Sequence, residues 1–440
     1  MRIEKIEQDT ILLPPYVLDT LKTLPWMTSN GTEIEFYHDD FIVVLYGVRG
    51  STAYSGPNTI RYGSNTSCYQ IWSPKLPQNH LYIGDGGSGI LEIDDVIIKK
   101  LFSKKLNPFT SSEKELAPYL ARLINTYTHY HYDHLHLGAP LAGIFHANGI
   151  PKMIIGGDNP KTQFSKTFKR PAFPRDFGEI QASYSFHNIE DPRSSVLIFT
   201  PNGDYREMSS SEFQSYLTQS NPQIRHQKTF YNLEDCVVAR LYNADHPDPC
   251  ISFRYENYNQ SGQLLSSFVY MTDHEIRETD DKNAYFQKHV VGADVAYFDG
   301  QYNEQNFIPG FGHGRVEIIG EIAAKMELPN VLIGHHDPKR TDSQIDGMVV
   351  QANLAYTETL QKLGKTPEVP GRIVGASDRM LIFIPSRERA RKGVVFGRMN
   401  LEKSSEIHSD AIGEQTSVQA NYQAFDLTQV YKLDDLTQKL

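Results

Sequence analysis

The order of apolar runs along the chain predicts a core of mixed strands and helices, of the α/β or α+β class. Three observations carry this. Short apolar stretches such as FIVVLYG (41–47), TSCYQIW (66–72) and HLYIGDG (80–86) stop at glycine or polar residues, as strands do. Between such stretches lie segments with helical periodicity, LEIDDVIIKKLF (91–102) and RVEIIGEIAAKM (315–326). Finally, 440 residues with 39% apolar and 22% charged content suffice for a large buried core and exclude a wholly disordered chain.

Taken in order, residues 1–39 are mixed and contain Pro14-Pro15 and Asn30-Gly31, which predicts a helical or irregular N-terminal extension. The main domain spans 40–386. After its first three strands and helix 91–102 comes the strand ARLINTYTH (121–129). A helix is expected in HLGAPLAGIFHANG (136–149), then the strand PKMIIGG (151–157). Residues 158–235 show Pro, Ser and charge clusters without a convincing period and are expected to be an elaborated, substrate-facing insertion. Strands resume at CVVARLYNADH (236–246), SFVYMTDHE (267–275), ADVAYFDG (293–300) and NVLIGHH (330–336), and MLIFIP (380–385) is expected to be the last core strand. Residues 387–440, which include RERARK (387–392), read as a polar extension, packed on the core or partly mobile.

Charge and cysteine usage narrow the function. Lys and Arg number 43 against 53 Asp and Glu, a net charge of −10. Such an acidic chain disfavours binding to a nucleic-acid polymer or an anionic membrane but leaves room for one small anionic substrate, a nucleotide included. Cys68, Cys236 and Cys250 are too few and too scattered for a disulfide framework, which fits a reducing compartment. The first residues lack a basic segment followed by an unbroken apolar one, and no apolar run reaches membrane-spanning length. A soluble, cytoplasmic protein without membrane partners is expected; the extensions and residues 158–235 either cover the site or form a homodimer interface.

Chemistry concentrates in THYHYDH (128–134), which supplies His129, His131, Asp133 and His134 within six residues. Strand alternation puts His129 and His131 on one side of an extended segment, and the following turn can aim Asp133 and His134 at a neighbouring point. Imidazole and carboxylate together suit zinc, iron or manganese. Other apolar strands also end in Asp or His: LYIG before Asp85, ARLYNAD before His246, FVYMT before Asp273, and VLIG before His335-His336. Strand ends on one sheet edge can converge, however distant they are in sequence.

This set, with HxHxDH at its centre, resembles the metallo-β-lactamase-fold hydrolases. YGVRGSTAYSGPNTIRYGSNTSC (46–68), YIGDGGSGI (82–90), YMTDHE (270–275), FDGQYNE (298–304), GFGHGRVE (310–317) and LIGHHDPKRTD (332–342) are similar to segments of the phosphodiesterase and tRNase Z branch, over about residues 41–345. The resemblance implies an α+β fold, a four-layer αββα sandwich with the site along one edge. It implies two divalent metal ions, zinc with Mn or Fe as alternatives. His129, His131 and His246 would hold the first, Asp133, His134 and His335 the second, and Asp273 would bridge them. Asp85 would orient a ligand histidine. His335 fits the last ligand position better than His336 by its offset from the strand, and His336 would then support a neighbouring ligand.

Two cations about 3.5–4 Å apart would share a water, lower its pKa towards neutrality and oppose charge building on the substrate. His313, in the Gly-flanked loop GFGHG, is the candidate proton donor to the leaving group, with Asp299 as its acidic partner. Asp133, His313 and Asp299 are thus the expected catalytic residues, His313 also touching substrate. The plainer reading of His313 is a loop histidine capping a helix, and this sequence has His-Gly-Arg where the relatives usually have His-Ser-Thr. Arg49, in GVRGS, either holds the substrate's phosphate or carboxylate or pins its own loop by a salt bridge. The basic stretch KTQFSKTFKR (161–170) with Arg175 reads as a solvated face ahead of an entrance wall for anions. The function expected is a phosphodiesterase acting on a small or nucleotide-like diester. The alternative is hydrolysis of a lactam, lactone or thioester on the same fold.

Overall fold

The computed structural model describes residues 2–136, 138–180, 182–365, 373–389, 393–410 and 413–426. The N-terminal hairpin of β1 (Ile3–Glu7) and β2 (Glu33–Tyr37) encloses helix α1 (Pro15–Thr23). The chain then lays down β3 (Phe41–Gly47), β4 (Cys68–Trp72), β5 (His80–Gly84), α2 (Ile90–Ser103), α3 (Glu113–Leu116), β6 (Arg122–Thr126), α4 (Gly143–His146), β7 (Lys152–Gly156), α5 (Pro160–Thr167) and β8 (Tyr184–Asn188). A second pass gives β9 (Ser195–Phe199), β10 (Tyr205–Ser209), α6 (Ser210–Leu217), a small hairpin of β11 (Gln223–His226) and β12 (Thr229–Asn232), β13 (Val237–Asn243), β14 (Ile251–Tyr258) and β15 (Leu264–Met271). It continues through α7 (Ala284–Val290), β16 (Val295–Asp299), α8 (Val316–Lys325), β17 (Val331–Gly334), α9 (Asp342–Lys362) and β18 (Ile373–Gly375). The chain returns to the first sheet with β19 (Met380–Ile384), β20 (Val395–Asp410) and β21 (Gly413–Asp426).

Two large sheets result. One has the order β21-β20-β19-β3-β4-β5-β6-β7-β8, the other β10-β9-β13-β14-β15-β16-β17-β18. They face each other across an apolar core that includes Phe41, Val43 and Leu45 from one sheet and Phe253, Phe268 and Leu332 from the other. On its far side β3 turns Ile42 and Val44 towards Ile90, Ile93 and Ile97 of α2. That explains why FIVVLYG is apolar at nearly every position: both faces are covered. Behind the second sheet, Ile319, Ile322 and Ala323 of α8 pack on Phe298 and Ile333. Each such buried side chain contributes about 1.5–3 kcal/mol. The architecture is therefore the four-layer αββα sandwich expected from the sequence.

Strand direction positions the site. β5 to β8 run parallel, and so do β15 to β18. Parallel strands bring their C-terminal ends to the same edge, where ligands gather in open α/β sheets. The segments after β5, β6, β13, β15, β16 and β17 all supply side chains to one cluster described below.

Some elements differ from the sequence expectation. Among the described residues of 137–149, only Gly143–His146 is helical. Pro140 offers no backbone donor to a helix, and the chain before it tightens into a π-helical turn at Tyr132–His136, a feature that often marks functional segments. Residues 158–235 do more than decorate the domain: β8 extends the first sheet, and β9 and β10 complete the second. MLIFIP is followed in its own sheet by β20 and β21, with Val395 and Phe396 buried. Residues 390–392 of RERARK and the tail 427–440 lie outside the described residues. Among the described residues no helix is long and apolar enough to cross a membrane.

Candidate metal centre

Three groups of His and Asp side chains can each hold a cation: His129, His131, His246 and Asp273; Asp133, His134, Asp273 and His335; and Asp273, Asp299, His313 and His335. The first two share Asp273 and draw two ligands from each sheet. The two oxygens of Asp273 divide between them. Oδ2 lies 3.6 Å from His129 Nε2 and 3.9 Å from His246 Nε2. Oδ1 lies 3.2 Å from His134 Nε2 and 3.1 Å from His335 Nε2. This is the disposition a carboxylate needs to span two cations.

The residues fit such a load. His129 Nε2 and His134 Nε2 are buried with no hydrogen-bond partner in the chain. A buried imidazole nitrogen without a partner costs about 1–3 kcal/mol, which coordination would remove. Burial opposes charge on His134 and His335, yet Asp133, Asp273 and their neighbours outweigh it and raise both, His335 to about 9. Burial also opposes charge on Asp133 and Asp273, but the histidines hold both carboxyls well below the ordinary value. The centre therefore calls for positive charge. His129 behaves oppositely: burial and neighbouring histidines lower its pKa well below normal, which keeps its lone pair free for a ligand bond.

The nitrogens turned away from the centre are tied down. Asp85 is fully buried and accepts from His134 Nδ1 at 2.8 Å and from the Thr128 N–H at 2.8 Å. His335 Nδ1 lies 3.0 Å from Gln301 Oε1. His131 Nε2 bonds Asp248 Oδ2 at 2.7 Å, leaving Nδ1 to the cluster, and His246 Nδ1 bonds the Asp248 carbonyl at 3.0 Å. Such partners fix tautomer and ring orientation. Asp133 accepts at Oδ2 from the Ser51 N–H at 2.7 Å.

The backbone is strained to achieve this. Ser51, Asp85, Asp273 and His335 have φ of 60°, 57°, 49° and 51°, in the left-handed region. For non-glycine residues this costs about 1–3 kcal/mol each, and such strain gathers at functional sites. At Asp85, Asp273 and His335 the turn comes just after a strand ends. Gly50 meets a steric demand: a Cβ there would sit 2.4 Å from His335 Cε1.

Beside the second group, His313 Nδ1 donates to Asp299 Oδ2 at 2.7 Å, and the His313 ring stacks on His335 with centroids 4.9 Å apart. Asp299 is buried and also accepts from the Gln301 N–H at 2.9 Å. Burial disfavours the imidazolium, but Asp299 outweighs it and raises the His313 pKa. With Nδ1 engaged, Nε2 is left for the adjoining cleft. That cleft encloses about 330 Å³ and is lined by Ser51, Tyr130, His131, Tyr132, Asp133, Asp273, His313 and His335.

One expectation needs correction. Arg49 does not reach the cleft as a substrate-binding residue. It is fully buried, and its guanidinium donates to the carbonyls of Gly63, Asp337 and Arg340 at 2.9, 2.9 and 2.7 Å. It pins its loop, through backbone oxygens rather than a salt bridge. His336 turns its Nε2 to the Ala376 carbonyl at 3.0 Å and its ring meets Tyr62 edge-on. The basic stretch 161–170 is absent from the cleft lining, and Arg170 pairs with Glu179. Sequence reasoning missed Asp248, Ser51 and Gln301. A signal existed only for Asp248, in its spacing two residues after His246.

No family model and no curated protein matches the chain. Among solved structures it is similar to the metallo-β-lactamase-fold protein YhfI from Bacillus subtilis, at 14% identity over 78% of this chain and 99% of that one, with a TM-score of 0.43. It is also similar to a diphosphatase of the PhnP family, at 11% identity over 79% and 98% with a TM-score of 0.42. A third is unliganded yeast PDE1, at 12% identity over 79% and 99% with a TM-score of 0.43.

Proposed function

We propose that this protein is a dinuclear metal-dependent hydrolase whose substrate is a small phosphodiester. The observation that carries the reading is the pairing of two four-donor groups through opposite oxygens of Asp273. Mixed imidazole and carboxylate donors suit zinc, with manganese and iron as alternatives. When bound, two such cations supply a water of lowered pKa and neutralise charge on the group being transferred.

The chain's own residues do the rest. Asp85, Gln301 and Asp248 orient the rings of His134, His335 and His131. Asp133, held by the Ser51 N–H, completes the second donor group. His313 meets the leaving side of the substrate, and its Nε2–H protonates the departing alkoxide while Asp299 keeps the imidazole charged and fixed. General acid catalysis of this kind contributes about 10²–10⁴-fold. The cleft volume supports a small substrate over a polymer, and the His313–Asp299 pair supplies the proton that a phosphodiester's departing alkoxide takes up, with opening of a lactam, lactone or thioester as the alternative.

The test begins with elemental analysis of the purified protein, where two equivalents of divalent metal are expected. A screen of bis-p-nitrophenyl phosphate, cyclic nucleotides, a β-lactam and a lactone follows, with turnover expected on the phosphodiesters. Turnover of only the lactam or lactone, unchanged in His313→Ala, overturns the reading.

A further inference from the structure

A second pocket lies on the outer face of the eight-stranded sheet, away from the metal centre. Helix α6 packs over β9 and β10 and α7 over β13, and the gap between them encloses about 410 Å³. β13 alternates across the sheet: Ala239 and Leu241 join the core between the sheets. Arg240 and Tyr242 instead line the outer pocket. Phe213 and Tyr285 add apolar wall, and Tyr285 is 61% exposed.

The charged side chains that line the pocket are all cationic, in a chain whose net charge is −10. Arg193 and Lys288 line it, and neither side chain has a hydrogen bond or ion pair among the described residues. Arg240 spends Nε and Nη2 on Glu256, at 2.8 and 2.6 Å, and leaves Nη1 without a partner. Glu256 cannot neutralise the pocket, because Arg254 also bonds it, at 2.6 Å. Two arginines on one carboxylate leave one positive charge, and Arg193 and Lys288 add two more at the pocket wall, with Asp280 and Asp245 acting on Tyr242 from outside the lining. Like charges gathered around one concavity repel each other, and an anionic ligand relieves that repulsion.

We infer that this pocket is a second, metal-independent binding site for a phosphate monoester carrying a flat aromatic ring. A dianionic phosphate matches the three cationic side chains, with Arg240 and Arg193 offering planar donors that suit phosphate oxygens. Tyr285 offers an exposed ring face for an aromatic group. The inference rests on this pocket alone and does not depend on the reaction proposed for the metal centre.

Calorimetry on the full-length protein as purified tests it with adenosine 5′-monophosphate as the probe, the Arg193→Ser/Lys288→Ser double variant reporting separately any binding at the metal centre. The expected result is one site per chain, with adenosine and inorganic phosphate each binding more weakly than the monophosphate. Arg193→Ser and Lys288→Ser, both exposed positions, are each expected to weaken binding about tenfold, and Tyr285→Ala to weaken it as well. Phosphodiesterase turnover by the metal-loaded variants should stay at the wild-type level. Absence of binding at millimolar monophosphate, or binding unchanged in the Arg193→Ser/Lys288→Ser double variant, overturns the inference.

Discussion

Gly50→Ala is a one-carbon probe of the metal centre. The added Cβ would lie 2.4 Å from Cε1 and 2.5 Å from Nδ1 of His335, and 2.9 Å from Gln301 Oε1. Ordinary contact begins near 3.4 Å, so the ring has to retreat by about 1 Å. It has little room to do so: His335 is 1% exposed and stacks against His313 and His134. Metal–imidazole bonds of about 2.0–2.1 Å do not survive such a shift, and the Gln301 contact that orients the ring is disturbed at the same time. Affinity for the cation at Asp133, His134 and His335 should fall by about 10–100-fold, equivalent to about 1.4–2.8 kcal/mol. A cation in the other group would keep His129, His131 and His246. Titration against a chelating indicator should therefore show one weakened and one near-normal equivalent, with circular dichroism confirming a folded chain. Two equivalents at wild-type affinity would refute the close approach of His335 on which the site depends.

Asp85→Asn keeps the shape but removes the carboxylate from His134 Nδ1, so metal affinity should drop about 10–100-fold, measured by competition with a chelator. His313→Ala should cost about 10²–10⁴-fold with an alkoxide leaving group and far less with nitrophenolate, which departs without a proton; equal losses on both would remove His313 as the donor. Arg49→Met deletes buried hydrogen bonds to three carbonyls and should lower stability by about 3 kcal/mol or more, read as a fall in Tm; a raised KM with unchanged Tm would return Arg49 to the substrate. Asp378 is a pH probe. Its carboxyl is raised to about 7 by burial, against the opposing backbone N–H groups of Asn65 and Ser64 and the Arg49 charge. The unfolded carboxyl loses its proton near pH 4 while the folded one retains it to about 7, so this group's contribution to stability falls as pH rises through that window. Asp378→Asn should flatten the slope of Tm between pH 4 and 7.

Candidate site positions were legible because each sits where an apolar run stops: Asp85, His129, His246, Asp273 and His335 follow strands that hydrophobic patterning reveals. Residues whose role depends on tertiary approach were not. Ser51 acts through a backbone N–H, which no residue type announces, and Gln301 matters only because β16 and β17 are neighbours. Arg49 in a glycine loop reads the same whether it faces solvent or the interior. β14 escaped notice because Arg254 and Glu256 interrupt its pattern, although both are buried and satisfied by one another and by Arg240. Helix α9 was overlooked in spite of a readable start, the Thr341–Gln344 capping box, since its apolar stripe is weak. In 158–235 the half-exposed edge strand β8 carries too little periodicity to distinguish it from a loop.

The division of donors between the sheets has a mechanical consequence. Each of the two principal groups takes half its side chains from the loop after β6 and half from segments following strands of the opposite sheet. A cation seated in either group would act as a rivet through the sandwich, joining halves otherwise held by apolar packing and hydrogen bonds such as Tyr69 to Tyr255 at 3.1 Å. Its binding energy would then oppose separation of the sheets, and stability would climb with the logarithm of free metal concentration above the dissociation constant. A chelator would thus loosen the whole sandwich while it silences the site.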